Sequence, residues 1–235
     1  MAVYAGPEIV TNGLVLALDA GNTQSYPGSG TVWRDLSQGL SLNSYGTTTP
    51  WSSVSRGFFS FNNSGYWQMD TGSSNVPLGG DCTIIMWLYY AGHSLRRTIL
   101  EKAGTIYQSY EQELAMTWEV DGTISYYSRY STQYDFGAFV ACDLNRWTMM
   151  AIKLSTGLSS TARTGFYSKN GAPWVANYTS RSNTALTLSG VLRIGTGYSS
   201  TVQSGSIASV SCYNRMLSDA EVAQNFNATR GRFGI

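Results

Sequence analysis

Charge is scarce in this chain. Asp, Glu, Lys and Arg make up 12% of its 235 residues, against ~25% in a typical soluble domain. The surface must therefore be covered by Ser, Thr, Asn, Gly and Tyr, which suits a protein that rests against other proteins or sugars. The formal net charge is +1, with Lys and Arg scattered singly. Nucleic-acid binding needs a basic patch or stripe, so no nucleic-acid partner is expected. Histidine and cysteine are also few. His93 stands alone, and Cys82, Cys142 and Cys212 lie far apart, in no CxxC or Cys/His cluster. That spacing argues against zinc. The odd count argues against a disulfide framework and fits assembly in a reducing cytosol. Each thiol sits in an apolar run and is expected to be a small buried hydrophobe.

Long hydrophobic runs are missing as well. The longest, Ile84–Ala91, is well short of the ~20 residues needed to span a bilayer, so no membrane insertion is expected. The opening MAVYAGPEIVTNG lacks the basic and apolar regions of a signal peptide. Catalytic equipment is thin. Glu119-Val120-Asp121 begins an E-x-D-x-x-E spacing, which would set three carboxylates on one strand face, but Ile124 occupies the place of the last glutamate. Asp121 is better explained by an Asp-Gly turn. No GxSxG elbow accompanies His93 and Ser94. Asp19, Asn22 and Asp35 could offer oxygens to calcium, but their spacing matches no EF-hand loop. Asp and Asn in turns more often bond their own backbone. The expectation is a non-enzymatic protein with no cofactor and no metal.

What the chain has is short β-prone segments separated by turns. Leu14–Asp19 alternates and ends in a loop rich in Gly, Pro, Ser and Asn. Gln38–Ser55 is polar and reads as a long loop. The runs RGFFSF and YWQM, around Asn62–Gly65, read as a hairpin. In Cys82–Tyr90 both alternating faces are apolar, the mark of a central strand covered on both sides. Loops over the outer face of a sandwich would provide that cover. Strands are further predicted at Arg97–Lys102, Leu114–Val120, Thr123–Tyr130, Phe136–Cys142, Trp147–Leu154, Arg163–Ser168, Leu186–Leu188, Val191–Thr196 and Ser206–Tyr213. Asp121–Gly122 reads as a two-residue hairpin turn of the kind that needs positive φ, and Asn170–Gly171 turns the chain again. No linker divides residues 1–235, and one domain of this length is routine for an all-β sandwich.

The chain closes on GSIASVSCYNRMLSDAEVAQNF. A strand ends at Tyr213 and Asn214. Ser218 then reads as a helix N-cap, with Glu221 three residues on completing a capping box. Leu217 and Val222 have the spacing of a hydrophobic staple, and a short helix is predicted near Asp219–Asn225.

The phrase YNRMLSDAEV, with Tyr213, Asn214, Leu217, Ser218 and Glu221 as its signature, resembles the closing strand and helix of laminin-G-like domains. These are concanavalin A-like jelly rolls, here in the form found in tailed-phage (cyanophage-like) virion structural proteins. GLVLALDAGNTQSYPGSGTVWRDLS is similar to the opening of such domains, and Trp147 and FYSKNG fit the middle. The resemblance implies an all-β jelly-roll sandwich of two antiparallel sheets with one short C-terminal helix. It also implies a virion surface role in capsid decoration, at the neck or on the tail. Assembly in the host cytoplasm, other virion proteins as partners, and a homo-oligomer with a trimer among the closed arrangements all go with it.

Aromatics are the remaining lead, at 13% of residues. Their faces stack on sugars, and Tyr and Trp anchor protein interfaces. The densest cluster is Tyr126, Tyr127, Tyr130 and Tyr134, beside Arg129. Trp87, Tyr127, Arg129 and Tyr134 are therefore the candidate surface for a host glycan or a protein partner. β propensity alone also accounts for strand aromatics. The segments before Leu14 and after Ala228 read as those most free to reach a neighbouring subunit.

Overall fold

The computed structural model of the chain describes residues 7–47, 49–61, 65–69, 76, 78, 80–92, 96–103, 113–130, 133–155, 164–179, 190–195 and 205–235. They form two packed sheets. The first has the order β14 (Val175–Thr179), β13 (Thr164–Lys169), β12 (Trp147–Ser155), β7 (Cys82–Tyr89), β16 (Gly205–Tyr213), β5 (Phe58–Phe61) and β4 (Trp51–Ser52). In it β1 (Leu14–Asp19) also pairs with β16. The second has the order β11 (Gln133–Ala141), β10 (Thr123–Tyr130), β9 (Glu113–Trp118), β8 (Arg97–Ala103), β15 (Val191–Ile194), β6 (Tyr66–Met69), β3 (Ser41–Tyr45) and β2 (Val32–Arg34). The named strands pair antiparallel. The all-β sandwich of two antiparallel sheets is thus the observed architecture, and the strand expected at Leu186–Leu188 lies outside the described residues.

Alternation explains the layers. Along β7, Cys82, Ile84, Met86 and Leu88 enter the core between the sheets, while Ile85 and Trp87 enter a second apolar cluster on the outer face. β16 does the same with one irregularity. Ile207, Val210 and Cys212 face inward, Ala208 and Tyr213 outward, and the register with β7 shifts between Ile207 and Ser209. This bulge, an extra residue on one strand, lets two partners share an edge of β16. β5 pairs before it and β1 after it. The three cysteines are free and buried. Burial pushes the Cys142 thiol up to about 11, partly offset by the Trp118 indole N–H.

Three local expectations are corrected. RGFFSF and YWQM do not form a hairpin: β5 belongs to the first sheet and β6 to the second. Phe59, Phe61, Trp67 and Met69 meet in the shared core from opposite sides. A short turn signal cannot tell a hairpin from a crossing between layers. Gln38–Ser55 is not one loop, since it holds β3, whose Leu42 is fully buried, and β4. The Asp121–Gly122 connection is a three-residue loop. Gly122 N donates to Glu119 O at 2.9 Å, only Gly122 of the pair has positive φ, and Glu119 N donates to Thr123 O. That is a type I turn closed by a left-handed glycine.

The outer face of the first sheet is covered by the C-terminal segment rather than by loops. Helix α1 (Asp219–Thr229) starts at Ser218 with the capping box complete: Ser218 Oγ accepts from Glu221 N, and Ser218 N donates to Glu221 Oε2 at 2.8 Å. Leu217 and Val222 are both buried in the outer cluster, as a staple requires. Thr83 of β7 ties the corner to the sheet. Its Oγ1 donates to Arg215 O at 2.9 Å and accepts from Leu217 N at 3.0 Å. Arg215 donates to both oxygens of Glu221, at 3.0 and 2.5 Å.

Replacing Ser218 with Ala should cost ~1 kcal/mol through the lost cap, read as a lower Tm. The Arg215 guanidinium holds the Glu221 carboxyl down to about 2. A depressed carboxyl stabilises the fold above its unfolded value of ~4.3, and that contribution is lost as pH falls through the folded value. Both side chains are partly exposed, so the effect should stay below ~1 kcal/mol. Glu221→Gln keeps the cap but loses the charge. Its melting temperature should lie below the parent's at pH 7 and converge on it toward pH 2. A constant gap would reject the ion-pair account.

Candidate binding site

A groove of about 350 Å³ opens at one end of the outer cluster, lined by Tyr89, Asp143, Asn145, Arg146, Trp147, Asn170, Phe233, Gly234 and Ile235. Its floor is aromatic. Trp147 opens β12 directly opposite Tyr89, the last residue of β7. Their rings lie 5.6 Å apart, with Phe233 4.8 Å from Trp147 and Phe58 5.3 Å from it.

Two turns frame this floor. The loop between β11 and β12 carries Asp143, Asn145 and Arg146. Asn145 sits in the left-handed region (φ 55°) with its N–H donating to Tyr90 O at 2.8 Å. Lys169 Nζ donates to Asp143 Oδ1 at 2.6 Å and to Ala141 O at 3.0 Å, holding the loop against β13. The second turn is Asn170–Gly171, both at positive φ (53° and 72°), as Asn-Gly favours. Asn170 N donates to Met149 O, and Asn170 Oδ1 accepts from Met149 N, each at 2.9 Å. That leaves the amide NH2 as a donor. Gly171 packs against Phe226, and a Cβ there would come within 2.6 Å of it.

The remaining wall is the C-terminal tail. Phe233 stacks on Trp87 at 4.1 Å, and Trp87 in turn lies 5.9 Å from Phe226. Arg232 donates to Asp19 Oδ1 at 2.5 Å, to Ser55 O at 2.7 Å and to Gly57 O. The N-terminal segment is tied in too. Val10 N donates to Asn225 Oδ1, and Tyr213 OH donates to Val10 O, each at 3.0 Å. Neither described terminal segment is free to reach outward, contrary to the expectation from sequence. The reason is that both serve as cover for the apolar outer face.

The residues expected at a glycan or partner surface do not converge here. Trp87 is only 2% exposed, and its indole N–H donates to Thr229 Oγ1 at 2.8 Å. It is a core residue under α1 and the tail, so its place on the candidate surface is corrected. Tyr127 and Arg129 lie on β10 and Tyr134 on β11, where Arg129 pairs with Tyr134 and Tyr127 with Phe136. Their side chains lie outside the described residues, as does His93. Tyr126 points into the inner core with Ile124, as alternation required. Trp147, Tyr89, Asn170 and Phe233 were missed as a site. A Trp opening a strand and an Asn-Gly turn are visible in sequence, but their convergence is not.

The oxygens of Asp19, Asn22 and Asp35 are held by backbone N–H groups. Asp19 accepts from Gly21 N, Asn22 from Gln24 N, and Asp35 from Ala17, Ser37 and Gln38. Among the described residues no group of three or more His, Cys, Asp or Glu could hold a metal ion. Glu119 is paired with Arg96 at 2.9 Å, and Asp121 accepts from Thr123 N within its turn.

No family model and no curated protein matches the sequence. Solved structures do match in fold. The binding domain of botulinum neurotoxin DC in complex with SialylT superposes with a TM-score of 0.69 at 11% identity, over 93% of this chain and 52% of that one. The same domain in complex with rat synaptotagmin II gives 0.69 over 94% and 52%. A Trypanosoma rangeli sialidase mutant displaying trans-sialidase activity gives 0.64 at 15% identity, over 97% of this chain and 34% of that one. The chain thus spans about half the neurotoxin domains and a third of the sialidase, and what it shares with them is the β-sandwich.

Deleting Arg230–Ile235 should remove the groove wall and uncover Trp87. Loss of a packed Phe contact costs ~3 kcal/mol, or a fall in Tm of roughly 6–12 °C in a chain of this size. Unchanged melting would show that the tail is not part of the fold's cover.

Proposed function

We propose that this chain is a non-enzymatic binding module on the surface of a phage virion, assembled in the host cytoplasm, and that it engages a host-surface glycan through the groove beside Trp147. The observation that carries this reading is the groove itself. An aromatic floor can take the C–H face of a sugar ring, and Asn170, Asn145 and Arg146 supply hydrogen-bonding groups around it. The two framing turns are fixed by backbone hydrogen bonds, so little ordering is needed on binding. Binding rather than turnover is favoured because Asp143, the one carboxylate side chain lining the groove among the described residues, is held by Lys169. Glycoside hydrolysis canonically needs two placed carboxylates. Structural neighbours named as binding domains support a binding role for the fold, and the likeness of both ends of the sequence to phage-type domains supports the virion setting.

A second reading, attachment to other virion proteins or to further copies of the chain, is favoured by exposed apolar side chains in the two segments that line the groove, Leu144 between Asp143 and Asn145 and Ile235 in the tail. Leu144 is 58% exposed and Ile235 43% exposed. The two readings separate in one experiment. On a glycan array the parent should bind above background, and Trp147→Ala, which also loses packing against Phe58, Tyr89 and Phe233, should lose at least tenfold in affinity at a temperature where circular dichroism shows both proteins folded. If no glycan binds, and Leu144→Asp instead lowers occupancy on purified particles by mass spectrometry, the groove belongs to the protein contact.

A further inference from the structure

We infer that the groove selects a carboxylate-bearing saccharide, with Arg146 as the residue that reads the acid group. The inference rests on the glycan reading above. Among the described residues two charged side chains line the groove, Asp143 and Arg146. They are not equivalent. Asp143 is neutralised by Lys169 at 2.6 Å, and Lys169 is itself fixed by Ala141 O. Arg146 is exposed and makes no ion pair or hydrogen bond among the described residues. Among the described side chains, the lining therefore presents one compensated anion and one uncompensated cation. With Asp143 compensated, an anionic ligand can pair with the Arg146 guanidinium beside the aromatic floor.

Arg146 is also the residue immediately before Trp147, so the guanidinium and the ring start from Cα atoms only ~3.8 Å apart. A monosaccharide lying on the indole can place an exocyclic carboxylate against the guanidinium without a second sugar. The planar fork of Arg matches a carboxylate with two parallel hydrogen bonds. The loop is held by the Asn145 N–H to Tyr90 O and by Lys169, so the base of the Arg146 side chain is fixed. The amides of Asn145 and Asn170 remain for ring hydroxyls. Both uronic and sialic acids carry the group in question.

The test uses the full chain with uronate-containing and sialylated oligosaccharides, each beside its carboxyl-reduced counterpart, titrated by calorimetry at low and high salt. The parent should prefer the carboxylate member of each pair by about tenfold, the scale of one charge-assisted contact. That preference should shrink as salt screens it. In Arg146→Gln the ratio within each pair should fall to about twofold or less, whereas Trp147→Ala should weaken both members alike. Equal binding of both members by the parent, or a ratio that survives Arg146→Gln, would overturn the inference and leave the glycan reading standing. Binding of neither member would remove both.

Discussion

One constraint organises the molecule: β7 is apolar on both faces. Its inner face joins the core between the sheets without further help. Its outer face, with Ile85 and Trp87, would be left in water by a simple two-layer sandwich. Burying a large apolar side chain is worth ~1.5–3 kcal/mol, whereas a helix cap is worth ~1. Burial therefore decides that the C-terminal segment returns over the sheet. The capping box, the Leu217–Val222 staple and the Thr83 hydroxyl decide where it lands. The tail continues the same task, with Phe233 on Trp87 and Arg232 anchored on the Asp19 and Gly57 side of the sheet.

The groove lies where that cover ends. Trp147 is packed by Phe58, Tyr89 and Phe233 but stays half-buried, because the tail passes beside it. An aromatic ring at the margin of a rigid cluster is held in place by the same contacts that stabilise the fold. The polar rim is equally constrained, since Asn145 and Asn170 take left-handed conformations that their backbone hydrogen bonds enforce. Stability and recognition thus draw on one set of neighbours.

Much of this was legible in residue order. The alternation of Cys82–Tyr89 assigned both of its faces, and Leu217, Ser218, Glu221 and Val222 specified the helix start, because those signals depend on neighbours within a few residues. Tyr126 went inward for the same reason. Expectations that needed distant partners went astray. Trp87 looked like a surface aromatic because its cover, Phe226 and Phe233, arrives some 140 residues later. The runs on either side of Asn62–Gly65 looked like a hairpin because a turn signal carries no information about which sheet receives each strand.

The sequence by itself determined the all-β class, the central two-faced strand, the buried free cysteines and the capped corner, each through a local pattern of polarity or turn chemistry. Long-range packing settled how strands are shared between the two sheets, how the bulge at Ala208 lets β1 and β5 share one edge, and how Glu101 and Arg193 meet as a buried ion pair across 92 residues. It also decided that Tyr89, Asp143, Trp147, Asn170 and Phe233 face one groove. The physical reason is that periodicity says which side of an element is apolar, while the partner for that side is chosen by packing among segments remote in the chain.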